Sequence, residues 1–432
     1  MRILLVKPCW PYPYTKGEDT YNRIWPPLCL ANCASLLEKQ GYDAAILDAH
    51  ALRIPAEKIG GHIKGYDKVF VTSSSLDRWQ CPNIDITPFL ETLKCIKETK
   101  DEVYIMGYHG TVEPENILNL TKAKAVIRGE PERVVLDICK TEDLSNVKGL
   151  AFYKEGDIFF TAPSEPLNLE ELPVPAFGML DFSRYSYEIL GKRLSLFEIS
   201  RGCGFRCRFC NKVMYGDKMR FKSKEQVLSE LSLAIEKYDV KTGYFMDLDF
   251  LSAKGLVDAL CEHLIEKKYR FRWTCQTRPD RLDPQILKKM NLAGCKIIHL
   301  GVEAGLQSSL DYFNKDITLD KIEKGMEMCR EAGIKTLVFF LVGLPRETEK
   351  DRLQALKFFK KIRPDFISFH RLFPYHGTDI HNDKLKADAG VEKFIRYGLL
   401  RYYLDPSYLS KLEPSVALRG LNLFCRRLRN LK

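Results

Sequence analysis

A chain of 432 residues, 45% of them hydrophobic, is too long for one ordinary domain and apolar enough for two or three cores. No apolar run reaches the roughly 18 residues of a membrane span, and the first eight residues are too short and strand-like for a signal peptide. Fourteen cysteines without a secretory signal imply a reducing cytoplasm. Much of the formal charge of +10 sits at the end, in Arg419, Arg426, Arg427, Arg429 and Lys432. No RNA-binding module or aromatic–basic interleaving accompanies it. It reads as a solvated helix face, or a surface attracting an acidic substrate, before it reads as a nucleic-acid site.

Residues 1–140 alternate strand and helix. Strands are expected at 2–6, 43–47, 68–72, 102–106 and 125–127, with helices at 28–39, 55–64, 88–98 and 131–139. Strands separated by helices pair in parallel, which implies a Rossmann-like sheet with ligands at the carboxyl ends of its strands. The loops there carry aromatics, glycines and hydroxyls: 8–14, Trp25 to Pro27, 73–82 with Trp79, and Gly107 to Thr111. Such loops accommodate a broad, flat ligand. His109 reads either as a pocket residue or as a hydrogen-bonded structural histidine.

Residues 141–193 read as a connector, with a hairpin (149–153 and 157–161) turning at Gly156 and an extended proline-rich stretch at 172–177. A mostly apolar run then leads into Ser200-Arg201-Gly202-Cys203, followed by Cys207 and Cys210. Three thiolates in a C-x3-C-x2-C spacing can each take one iron of a [4Fe–4S] cube, leaving the fourth iron open to an amine and a carboxylate. Zinc is a competing reading, but it wants a fourth Cys or His nearby. The nearest downstream candidate is Cys261, on a predicted helix, and no His lies between His109 and His263. Unrelated core cysteines are the third possibility.

From residue 194 to about 375 the strand–helix pattern repeats six times. Strands are expected at 195–199, 243–247, 271–275, 297–302, 336–342 and 366–370, with helices at 223–237, 254–266, 284–292, 319–333 and 348–362. Six units imply a partial (β/α)6 barrel, with the cysteine loop and all strand ends on one face. Those ends present Asp247 and Asp249; Gln276, Thr277 and Arg278; Glu303; Gly343 and Leu344; and His370, Arg371 and Tyr375. Some have bland alternatives: Asp249 as a helix cap, Arg278 in a loop ion pair rather than on a ligand carboxylate, Glu303 on backbone amides. Residues 376–432 read as a helical cap, with Cys425 as a core residue or a reactive thiol.

The cysteine loop and the units after it resemble the radical S-adenosylmethionine (SAM) superfamily. The segment before it resembles the cobalamin (B12)-binding-type domain of that superfamily's class B methyltransferase-like branch. The resemblance implies an α/β chain: a Rossmann-like domain (1–140), a connector (141–193), a TIM-like partial barrel (194–375) and a helical cap (376–432). It implies a [4Fe–4S] cluster on Cys203, Cys207 and Cys210, with SAM cleaved by one electron to methionine and a 5′-deoxyadenosyl radical. By the same resemblance Phe205 packs on the adenine and Asp247 or Asp249 receives the SAM amino group. Gln276 and Arg278 then lie within reach of SAM, Glu303 lies near the ribose, and Gly343 and Leu344 lie under the adenine. Trp79, His109, Gly110 and Thr111 become corrin contacts. One departure stands out. The DxHxxG cobalt-ligand motif is absent; Asp48-Ala49-His50 follows the second strand, and Arg53 stands where the glycine belongs. Family members without the motif include both cobalamin binders and corrin-free proteins.

The implied function is a cobalamin-dependent methyltransferase acting on an unactivated carbon or phosphorus of a small molecule. Its electron donor would be external, such as a flavodoxin or ferredoxin. The alternatives are a corrin-free enzyme performing rearrangement, oxidation or transfer of another SAM-derived group such as 3-amino-3-carboxypropyl, and a non-catalytic iron–sulfur or zinc protein.

Overall fold

The computed structural model describes residues 1–10, 24–74, 85–383, 385 and 389–409. Trp79, Cys425 and the basic end of the chain lie outside the described residues. Seven strands form the first sheet: β1 (Arg2–Lys7), β2 (Asp43–Asp48), β3 (Lys68–Thr72), β4 (Val103–Met106), β5 (Ala125–Ile127), β6 (Leu150–Lys154) and β7 (Asp157–Phe160). Their order is β2-β1-β3-β4-β5-β6-β7, with the first five parallel. β3 and β4 are buried from end to end, and β1 in all but Arg2, so they read as continuous apolar runs without alternation. The order reverses between β1 and β3, which opens the ligand crevice of such sheets at the carboxyl ends of these two strands. The hairpin expected in the connector continues this sheet: β6 pairs antiparallel with β5 through Val126 and Ala151, and β7 with β6.

The helices of this half are α1 (Leu28–Lys39), α2 (Ala49–Leu52), α3 (Thr87–Lys97), α4 (Tyr108–Val112), α5 (Pro114–Thr121) and α6 (Pro131–Lys140). The helix expected at 55–64 is instead a 3₁₀ turn, Ala56–His62. Gly60 and Gly61 give an α-helix little support there. α1 is apolar nearly all round because it is buried on two sides. Leu30, Cys33, Ala34 and Leu37 join the core under the sheet, while Leu28 and Ala31 join that of the second half.

That second half opens with β8 (Ser186–Tyr187) and β9 (Gly191–Lys192), then β10 (Leu194–Phe197), β11 (Ser200–Arg201) and β12 (Arg220–Phe221). The remaining strands are β13 (Thr242–Phe245), β14 (Arg272–Thr277), β15 (Cys295–Glu303), β16 (Lys335–Val342) and β17 (Phe366–Arg371). β10-β13-β14-β15-β16-β17 form one all-parallel sheet, the six-stranded partial barrel. Between them run α7 (Lys224–Glu236), α8 (Lys254–Glu266), α9 (Pro284–Leu292), α10 (Gln307–Tyr312), α11 (Leu319–Glu331) and α12 (Glu349–Ile362). Capping boxes start α7, through Ser223 and Gln226, and α12, through Thr348 and Asp351. α13 (Ala389–Tyr403) and α14 (Pro406–Leu409) follow. α13 covers the open edge: the Tyr403 hydroxyl bonds both the N–H and the carbonyl of Ile367 on β17, each at 3.0 Å. Among the described residues, no helix is long and apolar enough to cross a membrane.

One buried group outside the site sets a pH dependence. His50 is 2% exposed, and neither ring nitrogen has a hydrogen-bond partner among the described residues. Burial first, then Lys7 and Arg53, lower its pKa from 6.5 to about 3. The unfolded chain therefore takes up a proton that the folded chain refuses. As pH falls from about 6.5 toward 3, stability drops by up to about 1.4 kcal/mol per unit from this residue. Urea titrations at pH 7 and pH 5 should show this loss in the native protein and a smaller one in His50→Leu; equal losses would refute it.

Candidate active site

The cysteine loop is anchored before its first thiol. Asp247, just beyond β13, accepts hydrogen bonds from the Ile199 N–H at 3.1 Å, the Ser200 N–H at 2.6 Å and the Ser200 hydroxyl at 2.6 Å. Burial pushes its carboxyl up to about 7, against the Ser200 and Ile199 bonds. The chain then turns at Gly202, with φ of +90°, where a Cβ would stand 2.1 Å from the Lys218 carbonyl oxygen. Only glycine makes that turn. Cys203 is buried, Cys207 and Cys210 are half-buried, and all three are free thiols. Burial raises the pKa of Cys203 and Cys210, and the neighbouring thiols add to the shift. Lys212 donates to the carbonyls of Cys203 (3.2 Å) and Phe205 (2.6 Å), which holds the loop on itself. From outside, Asn314 donates to the Arg206 carbonyl at 2.9 Å, and Arg208 pairs with Asp383 at 3.0 Å.

Around the loop stand the strand ends. Asp249 is 1% exposed; one oxygen accepts from the Thr277 hydroxyl at 2.6 Å. Its other oxygen has no hydrogen-bond partner among the described residues, only the Arg281 guanidinium at 3.5 Å. Glu303 ends β15 with φ of +65°, a backbone state that a non-glycine residue adopts only when its surroundings impose it. Its carboxylate pairs with Lys315 at 3.3 Å, and burial raises its pKa despite that lysine. The pair lies over Gly301, where a Cβ would come within 2.9 Å of both groups. Lys315 also stands 5.6 Å from the centre of the Phe209 ring. At the end of β16, Gly343, with φ of +96°, donates its N–H to Glu347 at 2.7 Å.

The first sheet meets this face with its own carboxyl ends. The hydroxyls of Thr72, Ser73 and Ser74 crowd Gly107, each within 3.3 Å of where its Cβ would be. Ser73 bonds the His109 ring at 3.2 Å, while the buried Ser74 hydroxyl has no partner among the described residues. The Gly107–Thr111 stretch is largely helical, in α4. The two halves touch here: the Thr111 hydroxyl lies 3.1 Å from the Met214 sulfur, and Tyr108 donates to the His376 carbonyl at 2.6 Å.

Residues 197–359 match the radical SAM superfamily. That stretch is a radical SAM domain. The chain is 27% identical to an anaerobic magnesium-protoporphyrin IX monomethyl ester cyclase of Cereibacter sphaeroides, over 96% of this chain and 68% of that protein. It is 28% identical to an uncharacterized methyltransferase of Pyrococcus horikoshii, over 95% of this chain and 94% of that one. Its fold is similar to that of the radical SAM methyltransferase TsrM from Kitasatospora setae, solved with cobalamin and a [4Fe–4S] cluster, with a TM-score of 0.69 at 18% identity, covering 88% of this chain and 74% of that one.

A radical SAM domain implies a [4Fe–4S] cluster and SAM, and the donor set fits: three free thiols on one clamped loop. Among the described residues no three His, Cys, Asp or Glu side chains converge tightly enough to hold a single metal ion. Cys261, the candidate fourth zinc ligand, is fully buried in the barrel's core with Cys275 and Cys295.

The geometry corrects several expectations for this site. Asp247 is committed to the start of the cysteine loop, whereas one Asp249 oxygen meets only the Arg281 guanidinium among the described residues. The Phe205 ring lies under the Arg278 guanidinium at 3.7 Å and near that of Arg281 at 4.9 Å. That face is covered rather than offered to adenine. Phe209 is the aromatic beside Lys315, and the sequence reading passed over it; its place just before Cys210 was the signal. Arg278 is held bidentate by Asp280 at 2.9 and 3.0 Å, the loop ion pair rather than a free fork. Gln276 accepts from Tyr244 at 3.5 Å, within the barrel. Gly110 is needed for packing, since a Cβ there would meet Val126 at 2.5 Å. Thr111 accepts from the Gly129 N–H at 3.0 Å. Lys315 carried no signal in the sequence; it reaches Glu303 from the loop after α10.

Proposed function

We propose that this radical SAM enzyme is a cobalamin-dependent methyltransferase acting on an unactivated carbon or phosphorus of a small molecule. The observation that carries this reading is the meeting of the first sheet with the barrel beside the cysteine loop. The segment after β4 touches the barrel through Thr111 on Met214 and Tyr108 on the His376 carbonyl, and the segment after β5 through Glu130 and Glu132 on Arg201. The Ser74 hydroxyl beside Gly107, which has no partner among the described residues, fits a polar ligand edge in the crevice of the first sheet. When bound, the cluster and SAM supply one-electron cleavage of SAM, and cobalamin supplies a transferable methyl group. The chain's own work is placement. Cys203, Cys207 and Cys210 hold the cluster, and Asp249 offers a carboxylate oxygen to the SAM ammonium. Glu303, fixed by Lys315, accepts from the ribose hydroxyls, while Gly343 and Leu344 let the backbone approach the adenine. His109, Gly110 and Thr111 shape the corrin side by packing. A cytoplasmic site with an external flavodoxin or ferredoxin as donor suits the free thiols and the oxygen-sensitive cluster.

Protein reconstituted anaerobically with iron, sulfide and hydroxocobalamin should retain about one corrin per chain by absorbance and cobalt analysis. No retained corrin beside an intact [4Fe–4S] spectrum would sink the reading. It would leave a corrin-free enzyme of rearrangement, oxidation or 3-amino-3-carboxypropyl transfer. Glu303→Ala should weaken SAM binding about tenfold or more, the worth of a charged hydrogen bond, with iron content unchanged. Equal affinity in an equilibrium SAM titration would remove Glu303 from the ribose.

A further inference from the structure

We propose that Arg201 is a positioning residue that latches the cysteine loop to the carboxyl edge of the first sheet and so fixes the separation of the two cofactor sites. Arg201 is 2% exposed and holds three carboxylates at once. Its Nη1 donates to Glu130 at 2.8 Å, and its Nη2 to Glu132 at 2.6 Å and Glu198 at 2.6 Å. Its guanidinium also lies 5.3 Å from the Tyr215 ring centre. Glu130 and Glu132 begin α6, just after β5 of the first sheet, whereas Glu198 and Arg201 belong to the barrel. Arg220, opposite Arg201 across the β11–β12 pair, donates to Glu130 at 3.1 Å, and Asn32 of α1 donates to Glu198 at 3.2 Å.

A buried ionic cluster is a poor device for stability, because the desolvation of each charge offsets most of the attraction. What it supplies is geometry: a planar fork that gathers three carboxylates in one arrangement, with Glu132 Oε2 left without a hydrogen-bond partner among the described residues. That arrangement passes directly to the thiols. Arg201 is followed by the Gly202 turn, which the Lys218 carbonyl leaves no room to relax, and then by Cys203. Moving the latch therefore moves the first thiol relative to the crevice at β1 and β3.

The inference rests on the corrin reading, and the test separates the two. Wild type and Arg201→Lys, which keeps the charge but lacks the fork, are reconstituted with iron, sulfide and hydroxocobalamin and reduced with dithionite. Iron and corrin contents should match in both. In wild type the reduced cluster should enhance the spin relaxation of the cob(II)alamin signal, and in Arg201→Lys this enhancement should fall. Amide exchange across 129–136 and 200–216 should accelerate about tenfold in the variant, the equivalent of ~1.4 kcal/mol of local opening. Unchanged relaxation and exchange in Arg201→Lys would overturn the latch. If wild type binds no corrin, the proposed function fails and exchange alone decides the latch. If Arg201→Lys does not fold, Glu130→Gln replaces it, with the same acceleration expected and unchanged exchange again overturning the proposal.

Discussion

Replacing Cys203, Cys207 or Cys210 with alanine should bring 5′-deoxyadenosine formation from SAM under dithionite to background in each case. The three thiols sit on a loop pinned by Asp247 at its start, by Lys212 within, and by Asn314 and Asp383 from outside. No neighbouring thiol or imidazole on that loop can substitute for a lost ligand, because Cys261 lies in the barrel's core. Losing one of three ligands leaves a second iron of the cube exposed and the cluster labile. Iron content should fall alongside activity. Retained 5′-deoxyadenosine in any of the three variants would end the assignment of the cysteines as cluster ligands.

Lys222→Met should destabilise the protein by about 3–5 kcal/mol, the cost of leaving a buried charge without its partner. The Lys222 side chain is fully buried, and its ammonium lies 2.7 and 2.9 Å from the two oxygens of Glu230 on α7. Lys222 also donates its backbone N–H to the Ile199 carbonyl at 3.0 Å, so the pair closes the base of the whole excursion from β11 to β12. Burial already raises the Glu230 pKa, with Lys222 opposing that shift. Without the lysine the carboxyl of the folded protein holds its proton more tightly than that of the unfolded chain. The penalty should therefore grow as pH rises above about 4.3, the ordinary glutamate value, until the raised folded pKa is passed. Adding Glu230→Leu should recover most of the loss. Chemical denaturation of the single and double variants at pH 5 and pH 8 checks both signs, and a single variant as stable as wild type would show the pair contributes nothing.

The strands and helices were legible where local pattern and burial agree. The apolar runs of β1, β3 and β4 read as buried parallel strands, and the helices expected at 254–266 and 284–292 match α8 and α9 at both ends. The pattern failed where partners are remote. The hairpin of β6 and β7 has the same turn whether it floats in a connector or extends the first sheet; its pairing with β5 is a tertiary choice. Asp247 and Asp249 are chemically identical and two residues apart, yet one is spent on the Ser200 backbone and the other has an oxygen that meets only Arg281 among the described residues. Phe205 and Phe209 differ in partners likewise, because Arg278 arrives from another strand end to cover the first while Phe313 and Lys315 meet the second.

By itself, then, the sequence determined the α/β class, the parallel strands of both sheets and the three-thiol loop, since periodicity and cysteine spacing are local properties of the chain. Only the tertiary structure decided which partners each carboxylate meets, that Lys315 backs Glu303, and that Arg201 gathers glutamates from both halves. Those outcomes depend on desolvation and charge pairing between residues as far as 71 positions apart, and no local pattern encodes which buried charges will meet.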